Sequence, residues 1–407
     1  MTVGEDMRLH GARFAVAVIF AGLALAQGKP VDQAWDLLAA GKRDQAVRLL
    51  HDIVKANPRD ADARLLLGSV LAESGDRSES IAQLTEAVRL RPQSAEAHHA
   101  LGETLNRFGE KALARAEFEK AVKLEPGLGQ AQADLGTALY FAGEFEPAAE
   151  HLDRAIRIMG RSPDSAYSHY LRAKLYTEQN EGRKAAAELS EAVSLRPDFA
   201  EAWSDLGQAR KALFDDAGAL AAFERAVALS PDDAVAQTRL GSEYRNQGRA
   251  HEAVLYLQRA VKLSPENQTA LYNLQLALRE DGQIEQSRQT RQRLTDLLRR
   301  RDTVSENALQ AVQLNNEGAN LEKAGNLIGA LDKYQAALGL NPEHVGIRTN
   351  VAGALLRLGR WQAGLAQLRE ALRRDPDNPA LKAALNDALA KAPVGTKLSE
   401  PPKTPIR

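Results

Sequence analysis

Apolar and small residues recur at helical spacing in pairs of short segments, and each pair ends at a proline. The stretch from Ala200 to Pro231 shows the pattern, with one face in each half: Trp203, Leu206, Gly207 and Arg210, then Ala219, Phe223, Ala226 and Val227. Proline lacks the amide hydrogen and clashes with the preceding turn, so it ends the second helix. Each stretch therefore predicts a helix–turn–helix hairpin.

The prolines return at a fixed interval, which predicts a repeat architecture. An interval of 34 residues separates the neighbours within three series: Pro58, Pro92 and Pro126; Pro163, Pro197, Pro231 and Pro265; Pro342 and Pro376. A period of about 20 to 50 residues is typical of solenoids. Ten units are counted, beginning near residues 27, 61, 95, 129, 166, 200, 234, 268, 311 and 345.

Glycines occupy two registers within the units. One series divides the two helices, where a left-handed backbone is expected: Gly75, Gly109, Gly143, Gly248, Gly282, Gly325 and Gly359. A second series lies in the first helix: Gly68, Gly102, Gly136, Gly207, Gly241 and Gly318. The latter are in register with alanines of the second helix, such as Ala226 for Gly207. The register predicts that small residues face each other where the two helices approach.

At this point the sequence resembles the tetratricopeptide repeat family, whose pattern is W-x2-L-G-x2-Y, then A-x3-F, then P. The best-matching unit carries Trp203, Leu206, Gly207, Ala219, Phe223 and Pro231, with Arg210 in the tyrosine slot. The resemblance implies an all-α protein, a right-handed α-solenoid of about ten helix–turn–helix units with a C-terminal capping helix. The cap is predicted over Pro379 to Lys391, with Leu381, Ala384, Leu385 and Ala388 on one face.

The regular pattern is interrupted after Gly282, where Ser287 and Arg291 replace the expected alanine and aromatic residue. Apolar residues continue to Leu298, which predicts an elongated helix up to residue 301. The sequence therefore predicts an eight-unit array over 27–301, a linker over 302–310, and two units plus the cap over 311–391. The proline-rich residues 392–407 are expected to be disordered.

Residues 14–28 carry no charge and follow Arg8 and Arg13, and Ala24–Ala26 form an A-x-A cleavage pattern. This arrangement predicts a signal peptide over 1–26 and a periplasmic or secreted protein without stable membrane insertion after cleavage. An uncleaved anchor or an ordinary helix is the alternative. The chain has no cysteine, which excludes disulfides and a lipoprotein anchor.

The sequence offers no chemistry typical of an enzyme, and no catalytic, metal or cofactor site is predicted. None of the common phosphate-binding, zinc-protease or nucleophile-elbow motifs occurs. His98 is expected to pack, and only its neighbour His99 to face the groove. The arginines of the elongated helix (Arg288, Arg291, Arg293, Arg299, Arg300 and Arg301) are interpreted as a solvated face, not a nucleic-acid site, since no aromatic interleaves them and the net charge is −1.

The resemblance implies a concave groove, lined by the first helix of each unit, that holds a protein or peptide partner. The predicted groove residues form two groups: the aromatic Tyr140, Phe141, Tyr167 and Tyr170 beside a three-residue insertion, and Asn273, Asn316 and Asn350 at the sixth position of three units. A tyrosine or phenylalanine buries a large area at small entropic cost. The alternative for the aromatic group is that some rings fill the joint at the insertion.

Two functions stay open from the sequence. The first is a non-enzymatic protein-interaction scaffold outside the cytoplasm. The second is a regulatory or substrate-recruiting subunit of a glycan-transferring or envelope-export enzyme complex acting in trans. Neither the partner nor the oligomeric state follows from the residues.

Overall fold

The computed structural model describes residues 30–393, and every regular element in that range is helical. The predicted signal peptide and residues 394–407 of the predicted tail lie outside the described residues. The chain divides into two compact units, Met1–Asn273 and Leu274–Arg407.

The first unit contains fourteen described α-helices and the start of a fifteenth. They are α1 (Pro30–Ala39), α2 (Arg43–Ala56), α3 (Ala61–Ser74), α4 (Arg77–Leu90), α5 (Ala95–Arg107), α6 (Lys111–Leu124), α7 (Gly129–Phe141), α8 (Phe145–Met159), α9 (Ala166–Glu178), α10 (Gly182–Leu195), α11 (Ala200–Ala212), α12 (Asp216–Leu229), α13 (Ala234–Asn246), α14 (Ala250–Leu263) and α15 (Gln268–Glu280). A short 3-10 turn, Pro163–Ser165, occupies the predicted three-residue insertion before α9. From α3 to α14 the odd-numbered helices are the first helices of the repeats.

The second unit holds the end of α15 and five more helices. They are α16 (Ile284–Lys323), α17 (Leu327–Leu340), α18 (Val345–Arg357), α19 (Trp361–Arg374) and α20 (Pro379–Lys391). The predicted capping helix is confirmed as α20, since Ala388 joins a buried cluster with Ala352, Leu365 and Leu368. No helix among residues 30–393 is long and apolar enough to cross a membrane.

The turn between the paired helices has the predicted left-handed backbone. All seven predicted turn glycines have a positive φ, from 74° at Gly248 to 85° at Gly75. The units without glycine place Asn180 (φ 59°) and Phe214 (φ 62°) at the same turn. A side chain is strained in this region, so the turn geometry is imposed by packing of the two helices even where glycine is missing.

The glycines of the first helices have a different neighbour from the one predicted. A β-carbon on Gly207 would lie 2.5 Å from the ring of Phe223, and the other five meet the corresponding large side chain: Leu84, Phe118, Leu152, Leu257 or Tyr334. This side chain stands three residues before the alanine that the register indicated. Small residues therefore do not face each other. The glycine has no side chain, which leaves room for a large side chain that fills the interior of the hairpin.

The proline that ends each unit also has a partner in the next unit. The side chain at the fourth position of the following first helix donates a hydrogen bond to the proline carbonyl, as Gln132 does to Pro126 at 2.9 Å and Trp203 to Pro197 at 3.0 Å. Arg64, Gln237 and Arg348 make the same contact. The proline carbonyl lies just past the helix C-cap, outside the helical hydrogen bonds, so this bond gives it a partner and ties consecutive repeats together.

The predicted linker over 302–310 is wrong, because these residues lie inside the 40-residue helix α16. The segment contains neither proline nor glycine, so nothing in it stops a helix. Thr303 and Ser305 bond back to the carbonyls of Arg299 and Arg301, at 2.9 and 3.0 Å. The border between the compact units also falls earlier than predicted, at residue 273.

Candidate functional site

The first aromatic pair predicted for the groove lies at the end of α7. Tyr140 is half-buried, packs against two core clusters of the first unit, and contacts Phe141 edge-on with ring centroids 5.3 Å apart. Phe141 itself is 42% exposed. A short turn leads from Phe141 to Phe145, which also lies against Tyr140. This end of α7 thus presents one accessible ring that rests on a half-buried one.

The second aromatic pair, on α9, is more deeply built into the core. Tyr167 and Tyr170 lie 5.9 Å apart and both pack on Phe199, with Tyr170 only 4.9 Å from it. Phe199 precedes α11 and is 3% exposed. Both tyrosines also pack against the buried Leu171 and Leu152. They therefore fill the joint at the insertion while keeping one edge at the surface.

A carboxylate on α11 gathers polar groups from three consecutive first helices. Asp205 accepts a hydrogen bond from the Tyr170 hydroxyl at 3.2 Å and from Lys174 at 3.3 Å, both on α9. Arg239 of α13 donates to its other oxygen at 2.9 Å. The same guanidinium donates to Ser204 at 2.7 Å. We call Tyr170, Lys174, Ser204, Asp205 and Arg239 the Asp205 cluster.

The electrostatics of the Asp205 cluster keep Tyr170 protonated. Burial raises the pKa of Tyr170, and the charge of Asp205 raises it further because a phenolate beside that carboxylate is disfavoured. Burial likewise raises the pKa of Tyr140. Both hydroxyls are therefore neutral hydrogen-bonding groups at physiological pH. Two cations and one anion meet in the cluster, so it offers a partner both donors and acceptors.

One inter-repeat bond recurs along the first helices. The fifth position of one unit bonds the sixth position of the next, at a separation of 35 residues: His99 with Asp134 at 2.7 Å, Tyr170 with Asp205 at 3.2 Å, Arg239 with Ser204 at 2.7 Å, and Asn350 with Asn315 at 2.9 Å. The residue types differ from pair to pair, but the two helix positions and the separation of 35 residues stay the same. These two positions thus hold consecutive first helices side by side.

The three predicted groove asparagines do not form one ladder within a compact unit. Asn273 is the last residue of the first unit, is buried, and donates to the carbonyl of Thr269 at 2.9 Å in its own helix. The side-chain amide of Asn350 donates a hydrogen bond to Asn315, which also lies in the second unit. Asn316 is exposed on α16. A peptide-holding role for them stays a prediction.

His98 is buried as expected, and His99, which was expected to face the groove, is also buried. His99 has the Asp134 carboxylate at 2.7 Å and that of Glu103 at 3.8 Å. Burial lowers the pKa of His99, but the two carboxylates outweigh it and raise the pKa to about 9. The three side chains could in principle ligate a metal. Because the ring holds a proton at neutral pH, the geometry fits an ion-paired joint better.

Sequence reasoning missed four residues that organise the site: Lys174, Asp205, Arg239 and Phe199. The signal was present for Asp205 and Arg239, because they occupy the sixth position of their units, the position of the predicted groove asparagines; Lys174 lies one helical turn after the fifth-position Tyr170. Phe199 lies in the turn before α11, outside those positions. Its role depends on the insertion, which changes how α9 approaches α11.

Comparison with known families identifies the repeats without use of the proline and glycine spacing. Three models described as tetratricopeptide repeat match the chain: one at residues 37–104 and 321–388, one at 95–127 and 234–267, and one at 170–234. Together they cover more than half of the sequence. No catalytic family is among the matches. A search of the curated proteins finds no match.

Several solved structures are similar to parts of the chain. PilF from Pseudomonas aeruginosa is 18% identical, with a TM-score of 0.49 over 53% of this chain and 97% of PilF. YrrB, described as a TPR protein with an unusual peptide-binding site, is 21% identical, with a TM-score of 0.40 over 46% and 96%. A tetratricopeptide repeat protein from Parabacteroides merdae is 15% identical, with a TM-score of 0.43 over 61% and 97%.

Proposed function

Because the chain belongs to the tetratricopeptide repeat family, we propose that it is a non-enzymatic scaffold that holds a protein or peptide partner on its first helices. The binding face runs over α7, α9, α11 and α13 of the first unit. The observation that carries the proposal is the Asp205 cluster on α9, α11 and α13, together with the exposed ring of Phe141 at the end of α7. Charged, hydroxyl and aromatic groups from consecutive repeats converge there, and no catalytic family is among the matches to the chain.

The chemistry of this face favours a partner segment of mixed polarity. Phe141 is accessible enough to enter an apolar contact, and aromatic anchors of this kind often dominate binding energy. Lys174 is 38% exposed, so one donor of the Asp205 cluster remains open to solvent. The cluster's internal bonds fix these groups before a partner arrives, which lowers the entropic cost of binding.

We also propose that the protein acts outside the cytoplasm. Support comes from the uncharged segment 14–28 with its A-x-A pattern, which follows two arginines. A partner would then be sought among envelope or secreted proteins.

The proposal is tested by comparative capture with two matched double variants. Phe141→Ala with Lys174→Ala removes an exposed ring and a cation from the first helices. Leu113→Ala with Lys123→Ala removes an exposed apolar residue and an exposed cation from the second helix α6. Wild-type and variant proteins are immobilised, exposed to envelope extract, crosslinked, and their captured proteins quantified by mass spectrometry.

We expect at least one envelope protein to be recovered in equal amounts on wild type and on the α6 variant. Its recovery on the Phe141/Lys174 variant should be at least tenfold lower. Equal recovery by both variants would contradict a binding face on the first helices. Circular dichroism melts of all three proteins show whether a loss reflects binding or unfolding.

A further inference from the structure

The middle of α16 is a long helical segment without a buried residue. Near its start, the hydroxyl of Ser287 donates to the carbonyl of Gln275 at 2.7 Å, and near its end Ala311 and Gly318 are buried against α17. Between these anchors, every residue from 288 to 310 is exposed or only half-buried. At about 1.5 Å per residue the segment is roughly 35 Å long.

One face of this segment carries an apolar stripe at the spacing of a coiled coil. Leu294, Leu297, Arg301, Val304 and Ala308 follow one another at alternating steps of three and four residues. That spacing keeps all five on the side of a helix that meets a partner helix. Val304 is 67% exposed although it is apolar. The stripe thus has the form of half of a helix–helix seam.

The charges beside the stripe are segregated by sign. The positions that flank a coiled-coil seam hold Arg291, Arg293 and Arg300, and Arg301 stands within the stripe. The acidic residues of the segment, Asp296, Asp302 and Glu306, occupy neither seam nor flanking positions, although Asp302 lies 3.8 Å from the Arg301 guanidinium. Arg291 and Arg300 have no ion-pair partner among residues 30–393. The seam is therefore apolar except at Arg301 and basic at its edges.

This segregation disfavours a second copy of the chain as the partner. In an antiparallel pair the flanking arginines would face arginines. A parallel pair would place Arg293 beside Leu298 and Arg300 beside Ser305, with Arg301 against Arg301. Neither arrangement supplies an acidic partner. Like charges at these positions oppose association.

We propose that the stripe of α16 is a docking site for a partner helix with acidic flanks and an acidic residue opposite Arg301. Nucleic acid would neutralise the arginines but would not cover the exposed Val304 or the half-buried Leu294 and Leu297. An anionic membrane surface is also a weaker fit, because residues 284–310 contain no aromatic side chain to anchor at the lipid interface. The site is separate from the binding face on α7 to α13 and does not depend on that face.

The test uses the full mature chain and two designed peptides. Each peptide has three heptads with leucine at the seam positions except the one opposite Arg301. One peptide has glutamate at that position and at the flanks, and the other has lysine at the same positions. Binding is measured by fluorescence anisotropy at low and moderate salt. We expect the glutamate-flanked peptide to bind, with an affinity that falls as the salt concentration rises. The lysine-flanked peptide should not bind.

Two matched substitutions test the face of the helix. Val304 and Leu309 are 67% and 64% exposed, but they point about 140° apart around α16. Val304→Asp should weaken binding of the glutamate-flanked peptide at least tenfold, and Leu309→Asp should leave it unchanged. Both residues are exposed, so neither change is expected to unfold the chain, and circular dichroism verifies this.

A charge exchange completes the test. Replacing Arg291, Arg300 and Arg301 by glutamate should abolish binding of the glutamate-flanked peptide and allow the lysine-flanked one to bind. The same exchange at Arg288 and Arg299, which lie away from the stripe, should neither abolish binding of the glutamate-flanked peptide nor allow the lysine-flanked one to bind. Equal effects of the two exchanges would overturn the proposal, as would a Val304-dependent dimer in analytical ultracentrifugation or Val304-dependent binding to anionic vesicles without peptide binding.

Discussion

The ring of Phe223 occupies the space where a side chain of Gly207 would begin, since a β-carbon there would lie 2.5 Å from the ring. Gly207 is on α11 and Phe223 on α12, so the contact closes one hairpin. The same relation joins a glycine and a large side chain in five other repeats. The glycine is therefore required by its neighbour, not by the backbone of its own helix.

Gly207→Leu should overpack this hairpin and destabilise the chain by about 1–3 kcal/mol or more. Because each repeat is stabilised mainly by its neighbours, we expect a broadened or split thermal transition. Gly339→Ala is the control, because a β-carbon there meets nothing within 4 Å and alanine is the better helix former. That variant should gain up to about 1 kcal/mol. An unshifted melt of Gly207→Leu would contradict the packing described.

Phe214→Gly should stabilise the protein. Phe214 has a φ of 62° and is 91% exposed, so its side chain strains the turn and buries little area. Relief of the left-handed strain outweighs the added flexibility of glycine by about 0.5–1 kcal/mol. Urea unfolding measures the change. The reverse exchange at Gly248, to phenylalanine, should destabilise, and a stabilised Gly248→Phe variant would argue against backbone strain.

The ion-paired joint at His99 predicts a loss of stability in alkali. Its pKa is about 9 in the folded chain against an ordinary 6.5, so the folded state holds the proton more tightly. The stabilisation is complete below about pH 6.5 and is lost as the pH rises through about 9. Melting temperatures between pH 6.5 and 9.5 should fall more steeply for wild type than for His99→Gln. Parallel pH profiles would show that Glu103 and Asp134 do not hold a proton on this ring.

Two substitutions of Tyr170 distinguish the packing of its ring from the hydrogen bond of its hydroxyl. Tyr170→Ala removes the ring that packs on Phe199 and should cost about 2 kcal/mol, which denaturant unfolding measures. Tyr170→Phe keeps the ring and removes only the bond to Asp205, so it should cost about 1 kcal/mol or less. If both variants unfold alike, the hydroxyl and not the ring holds α9 to α11.

Export predicts a mature chain that begins at Gln27, since the A-x-A pattern ends at Ala26. Intact-mass spectrometry of protein from the envelope fraction measures this directly. Replacing Ala24 and Ala26 by arginine should block the cut and retain the longer chain. Full-length protein in the membrane fraction of wild-type cells would instead support an uncleaved anchor.

The repeat period and the ends of the regular helices follow from the sequence by itself. Proline ends a helix and glycine permits a left-handed turn through local sterics, and both act in any repeat whatever its neighbours are. The same local reasoning placed the cap at Pro379 to Lys391. It misplaced the linker because the loss of a repeat pattern does not end a helix, and residues 302–310 contain neither proline nor glycine to stop one.

Only the tertiary structure decided which side chains meet. The register indicated alanine as the neighbour of Gly207, but the helices cross so that Phe223 fills the space. It placed His99 toward the groove, but it did not show that the Asp134 carboxylate, 35 residues later, bonds the ring. The Asp205 cluster likewise draws on three repeats. Such contacts depend on the angle and distance between helices, which a pattern along one helix does not encode.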